Sequence, residues 1–311
     1  MSFTPFRMSV LLTLGLAHPL AMAAAPSESP EPASGVQQPD AQQQASAEIS
    51  IEADRQLALA KQTMIISETP DAGPQSKRPS VVVGLGASVG PAYGGSEVTR
   101  VAPIPYVDVR GLLGGRLYIS DVNGLGLNVV DTGAFRAGFN LNDAAGRKSS
   151  VDAHLRGLPD IGDAASIGGY MAYWSKPFAF QATVARRVGP HPGTAASLGT
   201  TYSVSPLPNL QLTASTSVDW ADARSLNTFF GISPAEAAHT AAVGNPLPAY
   251  TPRSGVFAVS ATFAAVYMLS DHWGLVGRVG LVDLIGNSVN DSPLTQRSFQ
   301  PNAQIGVLYV F

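Results

Sequence analysis

From residue 80 to the terminal Phe311 the chain alternates apolar residues with small or polar ones, and no helical period of apolar positions is sustained over that stretch. Successive side chains of a strand point to opposite faces, so each such run specifies a strand with one apolar and one polar face. In 209–220, Leu210, Leu212, Ala214, Thr216, Val218 and Trp220 share one face, and Gln211, Thr213, Ser215, Ser217 and Asp219 share the other. In 255–268, Phe257, Val259, Ala261, Phe263, Ala265 and Tyr267 oppose Ala258, Ser260, Thr262 and Ala264. In 177–188, Phe178, Phe180, Ala182 and Val184 oppose Gln181, Thr183 and Arg187.

Alternation alone suits a soluble sandwich and a transmembrane barrel equally, and three further features favour the barrel. The polar face carries small residues and scattered charges, among them Arg100, Asp108, Arg116, Arg136 and Arg278, while Lys disappears after Lys176. A wet lumen fits that composition better than a soluble surface does. Tyr93, Tyr106, Tyr173, Trp174, Trp220, Tyr267 and Trp273 fall near the expected strand ends, as in the aromatic girdles of outer-membrane barrels. The last strand, 303–311, puts Ile305, Val307, Tyr309 and Phe311 on one face. Tyr309 and Phe311 are therefore expected to form the signal read by the β-barrel assembly machinery, and Arg100, Asp108, Arg116 and Arg278 are the expected lumen charges.

The fold expected is an all-β, transmembrane, antiparallel up-and-down barrel with strands near 80–91, 98–110, 114–121, 124–130, 133–141, 165–175, 177–188, 195–206, 209–221, 254–268, 272–285 and 302–311. Twelve is an even number, as bacterial single-chain barrels have. The connections 142–164, 222–253 and 286–301 are long and all fall at one end, while 111–113, 131–132, 175–176, 206–208 and 270–271 are tight and fall at the other. With the tight turns periplasmic, both termini are periplasmic. A strand over Arg224–Ile232 breaks this parity unless it extends an existing strand beyond the membrane. Twelve strands lie between the eight-stranded barrels filled by side chains and the 16- to 18-stranded open porins, so the lumen is expected to be narrow or occluded.

Composition removes other classes. No run approaches the roughly 20 apolar residues a membrane-spanning helix needs. A formal net charge of −3 offers no basic footprint for nucleic acid. The absence of Cys excludes disulfides and thiolate chemistry. Residues 1–23 read as a signal peptide, with Arg7, an apolar stretch from Met8 to Ala17, and Ala21-Met22-Ala23 as the cleavage site. Residues 24–79 read as a disordered periplasmic linker rich in Pro, Gln, Ser and Ala, with a possible short helix over 48–66 that binds a partner, plugs the barrel or forms transiently in the tail.

Several motifs together carry a family likeness. They are Pro91-Ala92-Tyr93-Gly94-Gly95-Ser96, Pro103-Ile104-Pro105-Tyr106, Gly124-Leu125-Gly126-Leu127-Asn128, Gly146-Arg147, Leu155-Arg156-Gly157-Leu158, Asp271-His272-Trp273, Ser292-Pro293, Tyr309 and Phe311. In order and spacing they resemble the MltA-interacting protein (MipA/OmpV) family of outer-membrane proteins. That resemblance implies an outer-membrane barrel whose name-giving member is a scaffold joining a lytic transglycosylase to a murein synthase. The long segment before residue 80 departs from the family pattern.

The remaining candidates have ordinary explanations beside the functional ones. His154 lies near Ser149, Ser150 and Asp152, the residue types of a hydrolase, yet solvated loop residues account for them equally. Neither His154 with Asp163 nor His239 with Glu236 has recognisable metal-ligand spacing, and no cofactor or enzymatic activity is expected. The Gly84–Gly90 segment imitates a dinucleotide fingerprint but lies inside a strand and opens no helix. Arg147, Lys148 and Arg156 suit lipopolysaccharide phosphates or a solvated loop. The second functional reading is a narrow pore or solute-specific channel lined by the lumen charges.

Overall fold

The computed structural model describes residues 79–120 and 124–311; the expected signal peptide and all of the linker but Pro79 lie outside them. Twelve antiparallel strands form one closed barrel in which each pairs with its sequence neighbours and β1 pairs with β12. The strands are β1 (Ser80–Pro91), β2 (Thr99–Leu112), β3 (Leu117–Ser120), β4 (Gly124–Asp131), β5 (Phe135–Ala144), β6 (Ala164–Ser175), β7 (Phe178–Val188), β8 (Gly193–Leu207), β9 (Leu210–Ala221), β10 (Gly255–Met268), β11 (Trp273–Leu284) and β12 (Phe299–Val310). The connections 113–116, 132–134, 176–177, 208–209 and 269–272 make one tight end. At the other end lie 92–98, 145–163, 222–254 and 285–298, which include every long connection.

The period of two governs the wall. Leu212, Val218 and Phe263 are exposed on the outside, whereas Ser215, Asp219, Ser260 and Thr262 are buried inside. Because the barrel is closed, every strand has two hydrogen-bonded neighbours, which a chain in hydrocarbon requires. The outer face is apolar around the whole circumference, with Leu85, Val107, Leu127, Phe139, Ile167, Leu198 and Ile305 among its exposed members.

Several local expectations differ from the structure. Strand β3 is only four residues long because Gly114 and Gly115 hold the preceding turn at positive φ. Strand β8 continues to Leu207, with a register shift after Val204 absorbing Ser205 and Pro206. Phe257 leaves the lipid face, because a bulge between Val256 and Ala258 makes it the extra residue and it packs inside against the cluster that includes Leu226 and Phe230.

The girdle also divides. Tyr173, Trp220, Tyr267 and Trp273 are exposed on the outside, but Trp174 and Tyr93 are buried, the first under Arg136 and the second beneath the long loops. Tyr106 is half-buried with the inward parity of Ile104 and Asp108. Tyr173, Phe178, Tyr202, Tyr267, Trp273, Tyr309 and Phe311 instead form a belt at the tight end, with Phe178 and Tyr202 ring centroids 5.4 Å apart.

The stretch 224–232 is no strand. It belongs to α1 (Ala223–Phe230), which starts where the Asp222 carboxylate accepts the Ser225 N–H at 2.7 Å. Leu226 and Phe230, four residues apart, bury its apolar face against Ala258, Val282 and Leu284. A second helix, α2 (Pro234–Ala242), opens with a Ser233–Glu236 capping box and Pro234 in its first turn. The long connection therefore keeps barrel parity by folding as helices above the wall.

Candidate functional site

The long connections build a cap with its own core. Ala92, Tyr93, Val151, Leu155, Leu158, Ile232, Leu247 and Leu294 come from four separate connections and pack together. Fully burying a Leu or Ile is worth about 1.5–3 kcal/mol, so these contacts offset the ordering of the loops that supply them.

Polar contacts tie the cap to itself and to the wall. Tyr93 donates its hydroxyl to the Leu294 carbonyl at 3.0 Å, and burial together with the nearby Asp152 carboxylate raises its pKa. Ser96 donates to Asp152 at 2.7 Å, and Arg100 of β2 donates twice to the Val151 carbonyl, at 3.0 and 2.5 Å. Arg187 of β7 donates to the carbonyls of Ala144, Ala145 and Gly162, spanning the base of the 145–163 connection.

Arg147 is the centre of this arrangement and is not a lipopolysaccharide contact. Only 5% exposed, it donates to the Phe229 carbonyl at 2.6 Å and lies 6.0 Å above the Tyr93 ring, so the family motif residue joins α1 to the first loop. Burial lowers its pKa to about 10, which leaves it a cation at neutral pH. Lys148 and Arg156 remain exposed, Lys148 paired with Asp160 at 3.4 Å.

The hydrolase-like residues are engaged elsewhere. The Ser149 hydroxyl donates to Asp160 at 2.8 Å, His154 Nε2 donates to the Pro293 carbonyl at 2.8 Å, and Asp152 accepts from Ser96 and from the His154 N–H. Among the described residues no group of three His, Asp or Glu side chains is placed to hold a metal ion. The Gly84–Gly90 segment lies within β1.

The four expected lumen charges do not converge. Arg100 belongs to the cap, and Asp108 pairs with Arg110 at 2.5 and 2.7 Å near the tight end. Arg278 is half-buried midway along β11 on its inward face. Arg116 is exposed in the 113–116 turn, ahead of the first residue of β3.

Around Asp108 the inward side chains of β2 to β6 engage one another toward the tight end. Tyr170 donates to the buried Asn128, Tyr118 meets Tyr170 edge to face at 6.3 Å, and Arg136 lies 4.8 Å above Trp174 while pairing with Asp131. Gly126 is required here, because a Cβ at that position would enter the Tyr118 ring.

Between cap and cluster a cavity of about 210 Å³ opens against β5 to β10. Thr183, Ser197, Thr201, Ser215, Ser217 and Asp219 line it, and Ser225, Phe229 and Phe257 contribute from above. Alternation put Thr183, Ser215, Ser217 and Asp219 on the polar faces of their strands. It did not show that a helix reaches them, which Gly193 permits by letting the Ser225 backbone approach to within 2.6 Å of where a Cβ would stand.

Tyr309 and Phe311 lie at the seam. Tyr309 stacks on His272 and meets Trp273 and Phe311 edge to face, at 5.7, 5.0 and 4.8 Å. The Phe311 N–H donates to the Val81 carbonyl, which extends the closing β1–β12 ladder by one residue.

A family model described as MltA-interacting protein MipA matches residues 83–311, which covers the barrel from β1 to its last residue. The chain belongs to the MipA family. No curated protein matches it in sequence. Among solved structures, this MipA-family barrel is similar to the COG4313 outer membrane channel from Pseudomonas putida F1, with 10% identity, a TM-score of 0.41, and 79% of this chain and 100% of that one covered. It is also similar to the anion-selective porin from Comamonas acidovorans, with 11% identity, a TM-score of 0.30, and 75% and 99% covered.

Proposed function

We propose that this MipA-family barrel is a non-enzymatic scaffold of the Gram-negative outer membrane, working through its rims and not through its lumen. The observations that carry the reading are a cored cap at one end and the Arg110–Asp108, Tyr118–Tyr170 and Arg136–Trp174 contacts toward the other, which support a lumen obstructed twice. Much of the polar interior is thereby spent on internal contacts. The engagement of Ser149 with Asp160 and of His154 with Pro293 supports the absence of a catalytic role.

The tight turns and both barrel termini face the periplasm in this reading, and the cap faces outward, where Lys148 and Arg156 meet lipopolysaccharide phosphates. Residues 1–23 direct export, residues 24–79 link, and the β-barrel assembly machinery reads Tyr309 and Phe311. The family name describes an interaction with MltA. Carried to this chain, it makes a lytic transglycosylase the partner, and the resemblance to the name-giving scaffold adds a murein synthase.

Crosslinking the full chain in intact envelopes, followed by purification, tests the proposal. Recovery of a murein hydrolase and a synthase is the expected result; recovery of the assembly machinery alone overturns it. A second reading, a narrow channel, is favoured by the polar cavity against β5 to β10, and conductance separates the two.

A further inference from the structure

The cavity contains a charge without a counter-charge. Asp219 of β9 is 5% exposed, and its carboxylate accepts from the Ser217 hydroxyl at 3.3 Å. Neither of its strand neighbours supplies a cation, since Ser197 lies across from it on β8 and Ala258 on β10. Arg187, the cavity's guanidinium, is turned to the Ala144, Ala145 and Gly162 carbonyls and forms no ion pair with Asp219. A buried carboxylate held only by hydroxyls is costly, whereas the neighbouring strand positions carry neutral Ser and Thr at no such cost.

We propose that the cavity is a binding site for a small protonated amine bearing several hydroxyls, of monosaccharide size, with its ammonium on Asp219. A volume of about 210 Å³ is far larger than a bare metal ion needs, and among the described residues no three metal-ligating side chains meet there. The rest of the lining suits the rest of such a molecule. Ser197, Ser217 and Thr201 offer hydroxyls that both donate and accept, and Phe229 and Phe257 offer apolar surface to a carbon skeleton. The site is built by strand register, by the bulge that turns Phe257 inward, and by α1 resting on Gly193.

Glucosamine and glucose make a suitable pair of probes, since they differ by an ammonium in place of one hydroxyl. Titrated calorimetrically into the full-length barrel in detergent, glucosamine is expected to bind at least about tenfold more tightly than glucose, the factor that a charged hydrogen bond supplies. Asp219→Asn keeps the shape and removes the charge, so it should reduce glucosamine binding to the level of glucose while unboiled protein still migrates as a folded barrel. Thr213→Ser, an inward change on the same strand, is expected to leave the preference intact. Equal binding of the two sugars, an unchanged preference in Asp219→Asn, or no binding of either by a folded barrel overturns the proposal. So does competition by sodium at one ion per site, which would identify a cation site instead.

Discussion

Arg147 and Leu212 mark the two kinds of residue this fold depends on, one buried in the cap and one facing lipid. Replacing Arg147 by Ala leaves the Phe229 carbonyl without its donor and uncovers the Tyr93 ring. The expected cost is roughly 1.5–3 kcal/mol, the usual worth of a hydrogen bond to a charged group. Limited proteolysis should show faster cleavage in 145–163 and 222–254 while the barrel keeps its folded mobility on gels; an unchanged rate would mean that the apolar core alone holds the cap.

On the wall, Leu212→Arg and Phe263→Arg place a cation against hydrocarbon and should cost roughly 2–4 kcal/mol near the midplane. Thr213→Arg, half-buried on the inner face, should cost less, whereas Thr262 is 2% exposed and leaves no room for a long side chain. Detergent refolding titrations measure these differences, and a reversed order would indicate a one-residue slip in register. The sides of Leu212 and Phe263 were readable from alternation alone. That of Phe257 was not, because a bulge inserts a residue without changing the apolar character of Val256-Phe257-Ala258.

Elements were legible in proportion to their length and regularity. Strands of eleven or more residues such as β6, β7, β9 and β10 repeat the period enough times to fix both existence and face. Helix α1 spans eight residues, about two turns, and is too short for a 3.6-residue period to stand out beside β-branched and aromatic neighbours. Its start signal was present all the same in Asp222, as was the Ser233-Pro234-Ala235-Glu236 capping box of α2. The cap could not be read, because its core joins residues up to about two hundred positions apart, as Tyr93 and Leu294 show.

Strand β12 carries the prediction that belongs to this scale. Removing Phe311 deletes one 71%-exposed aromatic and one seam hydrogen bond. Stability should therefore fall by no more than about 1.5–3 kcal/mol, and the purified variant should still refold in detergent. As an assembly signal, however, Phe311 should be needed in the cell, so the deletion is expected to leave protein in the periplasm for degradation. Normal outer-membrane levels of the variant would make Phe311 an ordinary member of the aromatic belt.

For the molecule as a whole, the closed β1–β12 seam leaves no strand edge from which unfolding can begin in detergent. Unboiled protein is expected to migrate faster than boiled protein on gels, and equal migration with a helical circular dichroism spectrum would contradict the closed barrel. The closed barrel and the parity of its connections were legible from the alternation and the loop lengths. The inward Arg136–Trp174 and Tyr118–Tyr170 contacts were not, since they depend on which side chains meet across strands. These contacts and the cap underlie the proposal that the protein works as a scaffold. Single-channel recording of the purified full-length protein in a planar bilayer decides between scaffold and channel: insertion without stable conductance steps is expected, and reproducible open-channel current from the unaltered barrel would exclude the scaffold reading.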